Sequence, residues 1–329
     1  MLQRRTGGLM VSYSLRRFFL IIPTLFFVSL IVFLSVRFIP GDAIDLMVNQ
    51  LKGSTTGDIQ LSRNGIRQAL GLNDPLPTQY WHWLRNAVQG NLGHSLWSGK
   101  SVTTLIFERL PVSLELGLLA IIIGLMIAVP IGVFSAVRQD TLGDYIARTF
   151  SILCISLPAF WVATLVIVYP SIWWDWSPQI RYFPLTQYPW QNLLQFIIPS
   201  FIMGMALSGT TMRMTRSMML EVLRQDYIRT AWAKGLNERV VLVRHAIKNA
   251  LIPVITAVAL QIPLLVGGTV VVEEVFSLPG LGTLMIDAIG KRDYPIISAI
   301  TLLLSIVVLV VNLLVDMLYS YLDPRIRYH

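Results

Sequence analysis

Six apolar stretches, each long enough to cross a bilayer, dominate the chain and limit what it can fold into. They occupy residues 18–36, 116–137, 149–174, 193–212, 250–272 and 294–315 of 329. A helix needs about 20 apolar residues to cross about 30 Å of hydrocarbon. Inside lipid every backbone polar group must be bonded internally, so such runs are read as helices. Composition agrees: 54% of residues are hydrophobic and 13% charged, against about 25% charged in an ordinary soluble domain. The sequence therefore specifies an all-α polytopic membrane protein with six transmembrane helices. Arg16-Arg17 before the first run resembles a signal peptide. The run is too long and no small-residue cleavage site precedes Arg37, so it reads as an uncleaved anchor.

The net charge of +8 raises the question of a nucleic-acid partner, and the positions of the charges answer it. With the amino terminus inside, the inner segments are 1–17, 138–148, 213–249 and 316–329, holding sixteen of the 26 Lys and Arg residues. The short outer loops 175–192 and 273–293 hold only Arg181, Lys291 and Arg292. Segment 38–110 holds six more, but long translocated segments largely escape the charge rule. Both termini are thus expected in the cytoplasm. The positive excess records topology, and nucleic acid drops out of the partners. Tyr169, Trp173, Trp174, Trp176, Tyr182, Tyr188 and Trp190 cluster at the outer ends of spans three and four, as an interfacial aromatic belt against membrane lipid does.

Several spans contain proline, at Pro23, Pro130, Pro158, Pro199, Pro253 and Pro263 among others. They read first as static kinks and second as hinges of a moving bundle. The middles of the spans carry almost no ionisable side chain, whereas proton- or ion-coupled carriers usually need some. Glu115, at the outer end of span two, reads as a solvated or paired carboxylate. The single cysteine, Cys154, reads as a packed small hydrophobe. No Cys/His spacing suits a metal. Gly99-Lys100-Ser101 resembles the end of a phosphate-binding loop, but His94 stands where that pattern requires glycine, so the chain is not expected to bind ATP.

Two polar segments remain. The outer one, 38–110, is too long for a simple connection. Its turn signals and the run Tyr80-Trp81-His82-Trp83-Leu84 suggest a small cap with an amphipathic or interfacial helix. In the inner one, 213–249, Leu220, Leu223, Tyr227 and Ala231 recur at helical spacing with Ile228 beside them. Gly235 is a natural stop. Asn237 can cap a second helix with an apolar stripe at Val240, Val243, Ile247 and Leu251. The expectation is a helix–glycine turn–helix beneath the membrane, apolar behind and polar in front, suited to docking a soluble partner.

At these residues a resemblance enters. Asp226-Tyr227-Ile228-Arg229-Thr230-Ala231-Trp232-Ala233-Lys234-Gly235-Leu236 resembles the cytoplasmic loop of permease subunits of binding-protein-dependent ABC importers, within the dipeptide/oligopeptide/nickel group. That loop is summarised as Glu-Ala-Ala, three residues, Gly, nine residues, then Ile-x-Leu-Pro. Here Arg229-Thr230 replace Glu-Ala, Ala231 and Gly235 keep their places, His245 and Ile247 stand for Ile and Leu, and the proline is displaced to Pro253. Arg37-Phe38-Ile39-Pro40-Gly41-Asp42, Leu70-Gly71-Leu72, Gly90-Asn91-Leu92-Gly93, the run Glu273 to Gly282, Arg292-Asp293-Tyr294-Pro295 and Leu322-Asp323-Pro324-Arg325-Ile326-Arg327 are similar to the same group.

The resemblance implies a type I ABC importer permease. Its parts would be a cytoplasmic N-terminus (1–17), helix 1 (18–37), an extracytoplasmic segment (38–110), a five-helix core (111–320) containing the coupling loop 213–249, and a cytoplasmic tail (321–329). It implies a second homologous permease, two cytoplasmic ATPases and an extracytoplasmic solute-binding protein as partners, with no catalytic residue and no cofactor or metal in this subunit. It also implies that Arg229, Thr230, Ala231, Lys234, Gly235, Leu236, Arg244 and His245 couple to an ATPase, with Ala231 and Gly235 serving close backbone packing. Peptides are the expected cargo, with nickel or glutathione uptake as variants. The spans alone leave an ion-coupled carrier or channel open, and the basic inner loop leaves a non-transporting scaffold.

Overall fold

The computed structural model describes residues 2–38, 74–179 and 181–322, and the described residues are helical apart from turns and one isolated β-bridge. The expected motifs at Ile39 to Asp42, Leu70 to Leu72 and Asp323 to Arg327 lie outside them, as does most of the tail. The helices are α1 (Leu2–Arg37), α2 (Leu76–Val88), α3 (Val102–Val137), α4 (Leu142–Ser156), α5 (Ala159–Trp174), α6 (Pro189–Leu223) and α7 (Asp226–Ala233). Glu238–Val240 then opens a helix that runs through a π-helical segment, Val241–Ile247, into α8 (Lys248–Val275), followed by α9 (Leu281–Lys291) and α10 (Tyr294–Leu322).

Among the described residues five helices are long and apolar enough to span a membrane, and the expected third span is the exception. It is two helices, α4 and α5, bent by 92° at the break between them. Proline fixes its own φ and disfavours the helical region for the residue before it. Leu157 accordingly sits at φ −87°, ψ 119°, and Pro158 at φ −62°, ψ 132°. The other five prolines singled out above lie within continuous helices, where lipid-embedded helices tolerate them.

The chain divides into two compact units, Met1–Pro111 with Thr283–Leu309, and Val112–Gly282 with Val310–His329. In the first, Tyr80 on α2 is buried against α1, where its hydroxyl and the Ser29 hydroxyl share a 2.8 Å hydrogen bond. Phe26 and Phe33 present T-shaped ring contacts to Tyr80, while Trp81 is exposed, as an interfacial helix requires. The buried carboxylate of Asp293 accepts from the Ser95 hydroxyl at 2.6 Å and the Leu96 amide at 3.2 Å. Gly99 lies at φ +66° in the turn that brings Ser101 to bridge with His94.

In the second unit α6 is central. It packs against α8, α4 and α5, and glycines bring α3 against it: a Cβ on Gly204 would lie 2.8 Å from the Ala120 carbonyl oxygen and 3.0 Å from the Gly124 nitrogen. Small residues let membrane helices approach closely, where no hydrophobic drive between helices helps. Leu116, Ala120, Ala163, Phe196, Met203 and Val272 belong to one buried apolar cluster. Buried hydroxyls on α6 and α8 return to carbonyls one turn back, as Thr211 does to Leu207 and Thr256 to Ile252. Such bonds satisfy polar groups where no water reaches. At one end of α8 the buried Glu273 accepts from the Ser113 hydroxyl (2.6 Å) and the Gly282 amide (2.7 Å). A Cβ on Gly280 would fall 2.2 Å from the Glu273 side chain, which gives the Glu273 to Gly282 run its physical reason: the loop wraps a carboxylate.

Candidate functional site

The segment after α6 carries the candidate site. The expected helix from Leu220 is broken: Leu220 and Leu223 end α6, and Gln225, extended at φ −73°, ψ 148°, starts α7 afresh. Asp226 lies in the first turn of α7, where a carboxylate favours the helix dipole. The Thr230 hydroxyl donates to the Asp226 carbonyl at 2.9 Å, and Arg229 Nη1 lies 3.4 Å from the Asp226 carboxylate. That pair is largely exposed, so it contributes little to stability.

Gly235 ends the element. Its amide donates to the Trp232 carbonyl (2.9 Å) and the Leu236 amide to the Ala231 carbonyl (3.4 Å), the paired bonds of a Schellman motif. The motif requires the left-handed φ of +75° found at Gly235. Nothing lies within 4 Å of where its Cβ would be, so backbone conformation, not close packing within this chain, demands the glycine. Close packing falls to Ala231 instead. It is buried with Ile228 among Ala136 of α3, Met219 of α6, and Val241, Ala246 and Ala250. These residues form an apolar socket that seats α7.

The second helix also departs from expectation. Val240 and Val243 are exposed, and the buried face is Val241, Ala246 and Ala250. A π-helical turn advances five residues per hydrogen bond, so residues 241–247 carry the buried face off the 3.6-residue register that the stripe assumes. Asn237 occupies the cap position without a side-chain cap bond. The Asn249 amide donates to the Tyr227 hydroxyl and to the His245 carbonyl, both at 3.0 Å, tying α7 to the helix that follows.

The eight expected coupling residues therefore separate into roles. Arg229, Thr230, Lys234, Leu236 and Arg244 are exposed, His245 is half-buried, Ala231 sits in the socket and Gly235 forms the turn. Tyr227, Trp232 and Val243 join the exposed set. Sequence reasoning placed Tyr227 on the buried face. A surface mixing cations with exposed aromatic and aliphatic groups can bind a protein partner. Further along, α5, α6 and α8 border an open-sided cavity of about 230 Å³ lined by Ala159, Met203, Gln261 and Gly268 among others. Among the described residues, no three His, Cys, Asp or Glu side chains come together as a metal site.

Residues 128–328 match the family described as binding-protein-dependent transport system inner membrane component, and residues 10–117 its N-terminal companion. The glutathione transport system permease protein GsiC of Pectobacterium atrosepticum is 38% identical over 319 residues, covering 97% of this chain and all of that one. The oligopeptide transport system permease protein AppB of Bacillus subtilis is 40% identical over 322 residues, with the same coverage. Among solved structures, an amino acid ABC transporter described "with histidines" aligns with a TM-score of 0.51 at 16% identity, covering 67% of this chain and 95% of that chain, a likeness of fold.

Proposed function

The chain belongs to the inner membrane components of binding-protein-dependent transport systems, and on that footing we propose that it is one of two homologous permeases lining the path of an ATP-driven importer of short peptides. As such a component it is a multi-pass, non-catalytic subunit of the inner membrane, working with ATPase and binding-protein partners. The family leaves no place for the ion-coupled carrier or the inert scaffold. Peptide cargo is supported by the two relatives: one is named for oligopeptides and the other for glutathione, itself a tripeptide. Both termini, and the end bearing α7, face the cytoplasm in this reading, as the distribution of Lys and Arg favours.

The observation that carries the mechanism is the seating of α7. A free helix of eight residues is unstable in water, so its order comes from the socket on Ala136 and Met219. The face left outside offers Arg229, Thr230, Lys234, Leu236 and Arg244, with His245 at its edge, to an ATPase. Closure of the ATPases on ATP pushes α7, and the socket passes the displacement to α3 and α6. In this topology residues 38–110 lie outside and 213–249 form the coupling loop.

The test is reconstitution with the cognate ATPases and binding protein in proteoliposomes. Uptake of labelled tripeptide is expected to need ATP and all partners. Uptake driven by an ion gradient without ATPases would overturn the reading. Within the same assay Gly235→Val is decisive for the turn. A side chain held at left-handed φ costs about 1–2 kcal/mol, so ATPase association is expected to weaken about five- to thirtyfold while membrane insertion is unchanged. Wild-type association would remove the turn from the docking account.

A further inference from the structure

Where α3, α4 and α6 meet lies a buried ionic cluster. Asp144, in the first turn of α4, is fully buried. Its Oδ1 accepts from Arg216 Nε at 2.8 Å and from the Ser135 hydroxyl. Its Oδ2 accepts from Arg216 Nη2 at 2.8 Å and from the Asp140 amide at 3.0 Å. Arg148 Nη2 lies 3.1 Å from the same oxygen. One carboxylate thus joins the end of α3, the start of α4 and α6, and it takes Arg216 as a bidentate fork, the pairing that fixes geometry as well as charge.

The position of the cluster matters more than its strength, since buried ion pairs are weak evidence for stability. Ser135 is the neighbour of Ala136, and Arg216 lies three residues from Met219 on the same helix. Ala136 and Met219 are the socket residues of α7. Seven residues further along α4, the Ser151 hydroxyl donates to the Gly209 carbonyl at 2.7 Å, seven residues back along α6. Two attachments two turns apart hold α4 antiparallel on α6. Beyond α4 the chain turns 92° into α5, whose first residue, Ala159, lines the cavity together with Met203 and Gln261. α4 itself contributes nothing to the socket cluster.

We propose that Asp144 and Arg216 are positioning residues that clasp α4 to the α3–α6 socket, so that displacement of α7 reaches the broken helix pair and the cavity instead of being absorbed where α7 is seated. This rests on the coupling role assigned to α7 above. Loosening the clasp leaves α7, its socket and the docking face in place, so ATPases still bind and hydrolyse ATP, but fewer cargo molecules cross per ATP.

The experiment uses the complete reconstituted complex and reads three quantities: ATPases bound per permease, binding-protein-stimulated hydrolysis, and cargo imported per ATP. Asp144→Asn keeps the shape of the side chain and removes its charge. Cargo per ATP is expected to fall about tenfold, within the range for changes in a coupling network, with ATPase binding unchanged and hydrolysis within about twofold of wild type. Should Asp144→Asn fail to assemble, Arg216→Lys decides, because it keeps the charge and loses the fork: a lowered ratio in an assembled complex supports the clasp. A wild-type ratio in either assembled variant overturns it, as does failure of both to assemble, which would make the cluster a folding element. Loss of ATPase binding in an otherwise assembled Asp144→Asn permease also overturns it, since the clasp acts downstream of docking. Failure of the α7 reading is a separate result, seen as ATPases that bind wild type and Gly235→Val alike.

Discussion

A permease carrying Ala231→Arg is expected to insert into the membrane, shed its ATPases and import cargo at background rate. Ala231 is 7% exposed, and the residues around it, Ala136, Met219, Ile228, Val241, Ala246 and Ala250, are all apolar. An arginine there has no acid within its cluster. Either α7 leaves the socket or a guanidinium is buried uncompensated, at a cost of about 3–5 kcal/mol. A helix of eight residues has no reserve to offset that, because short helices are marginal without tertiary packing. Unseating α7 takes Arg229, Lys234 and Leu236 with it, so ATPase affinity is expected to fall more than about 100-fold. The measurement is co-purification of ATPase with tagged permease, alongside uptake. Arg229→Ala is the control. Its side chain is 74% exposed, so it is expected to leave the seating of α7 intact and weaken docking by no more than one surface contact. An Ala231→Arg complex that keeps its ATPases would mean that α7 docks without being seated.

The second large effect lies inside the bilayer. Gly204→Leu is expected to reduce the amount of permease in the membrane several-fold and to lower the thermal midpoint of the solubilised complex. A Cβ at Gly204 would meet the Ala120 carbonyl oxygen at 2.8 Å and the Gly124 nitrogen at 3.0 Å. These are backbone atoms, so no rotamer change relieves the contact and α3 and α6 must separate. Overpacking costs about 1–3 kcal/mol, and here the loss extends along the helix pair: 2.7 Å would separate a Cβ on Gly132 from Thr215 Cβ. Losses of this size change cellular abundance several-fold. Gly204→Ala is expected to show the same direction with a smaller effect. Normal abundance and melting for Gly204→Leu would show that the close approach is not needed.

The apolar spans and the helix that stops at Gly235 were legible in the sequence because each is written locally: as apolar run length, and as a pattern within eleven residues. The break at Pro158 was not, because the run stays apolar on both sides of it and composition does not distinguish a kink from a 92° turn. The buried face after Gly235 was misplaced because a stripe assumes a constant 3.6-residue period, and the π-helical turn at Val241–Ile247 interrupts it. Gly235 itself was legible as a helix stop, while its lack of close neighbours required coordinates. The Asp144–Arg216 clasp was invisible for another reason. Its partners lie 72 residues apart in two inner segments, and nothing in either marks one carboxylate as buried. Glu273 shows the intermediate case. The run Glu273 to Gly282 was recognisable by resemblance, but its reason includes Ser113, 160 residues earlier.

The claim on which these expectations depend is that α7 touches an ATPase on the cytoplasmic side. The most direct measurement places a photoreactive amino acid at Lys234, exposed at the end of α7, and irradiates the assembled importer in sealed membranes. The account expects a covalent adduct of permease with ATPase whose yield changes when ATP is bound. Adducts with the extracytoplasmic binding protein, or none with the ATPase in a complex that imports cargo at full rate, would contradict both the orientation of the chain and the role of α7.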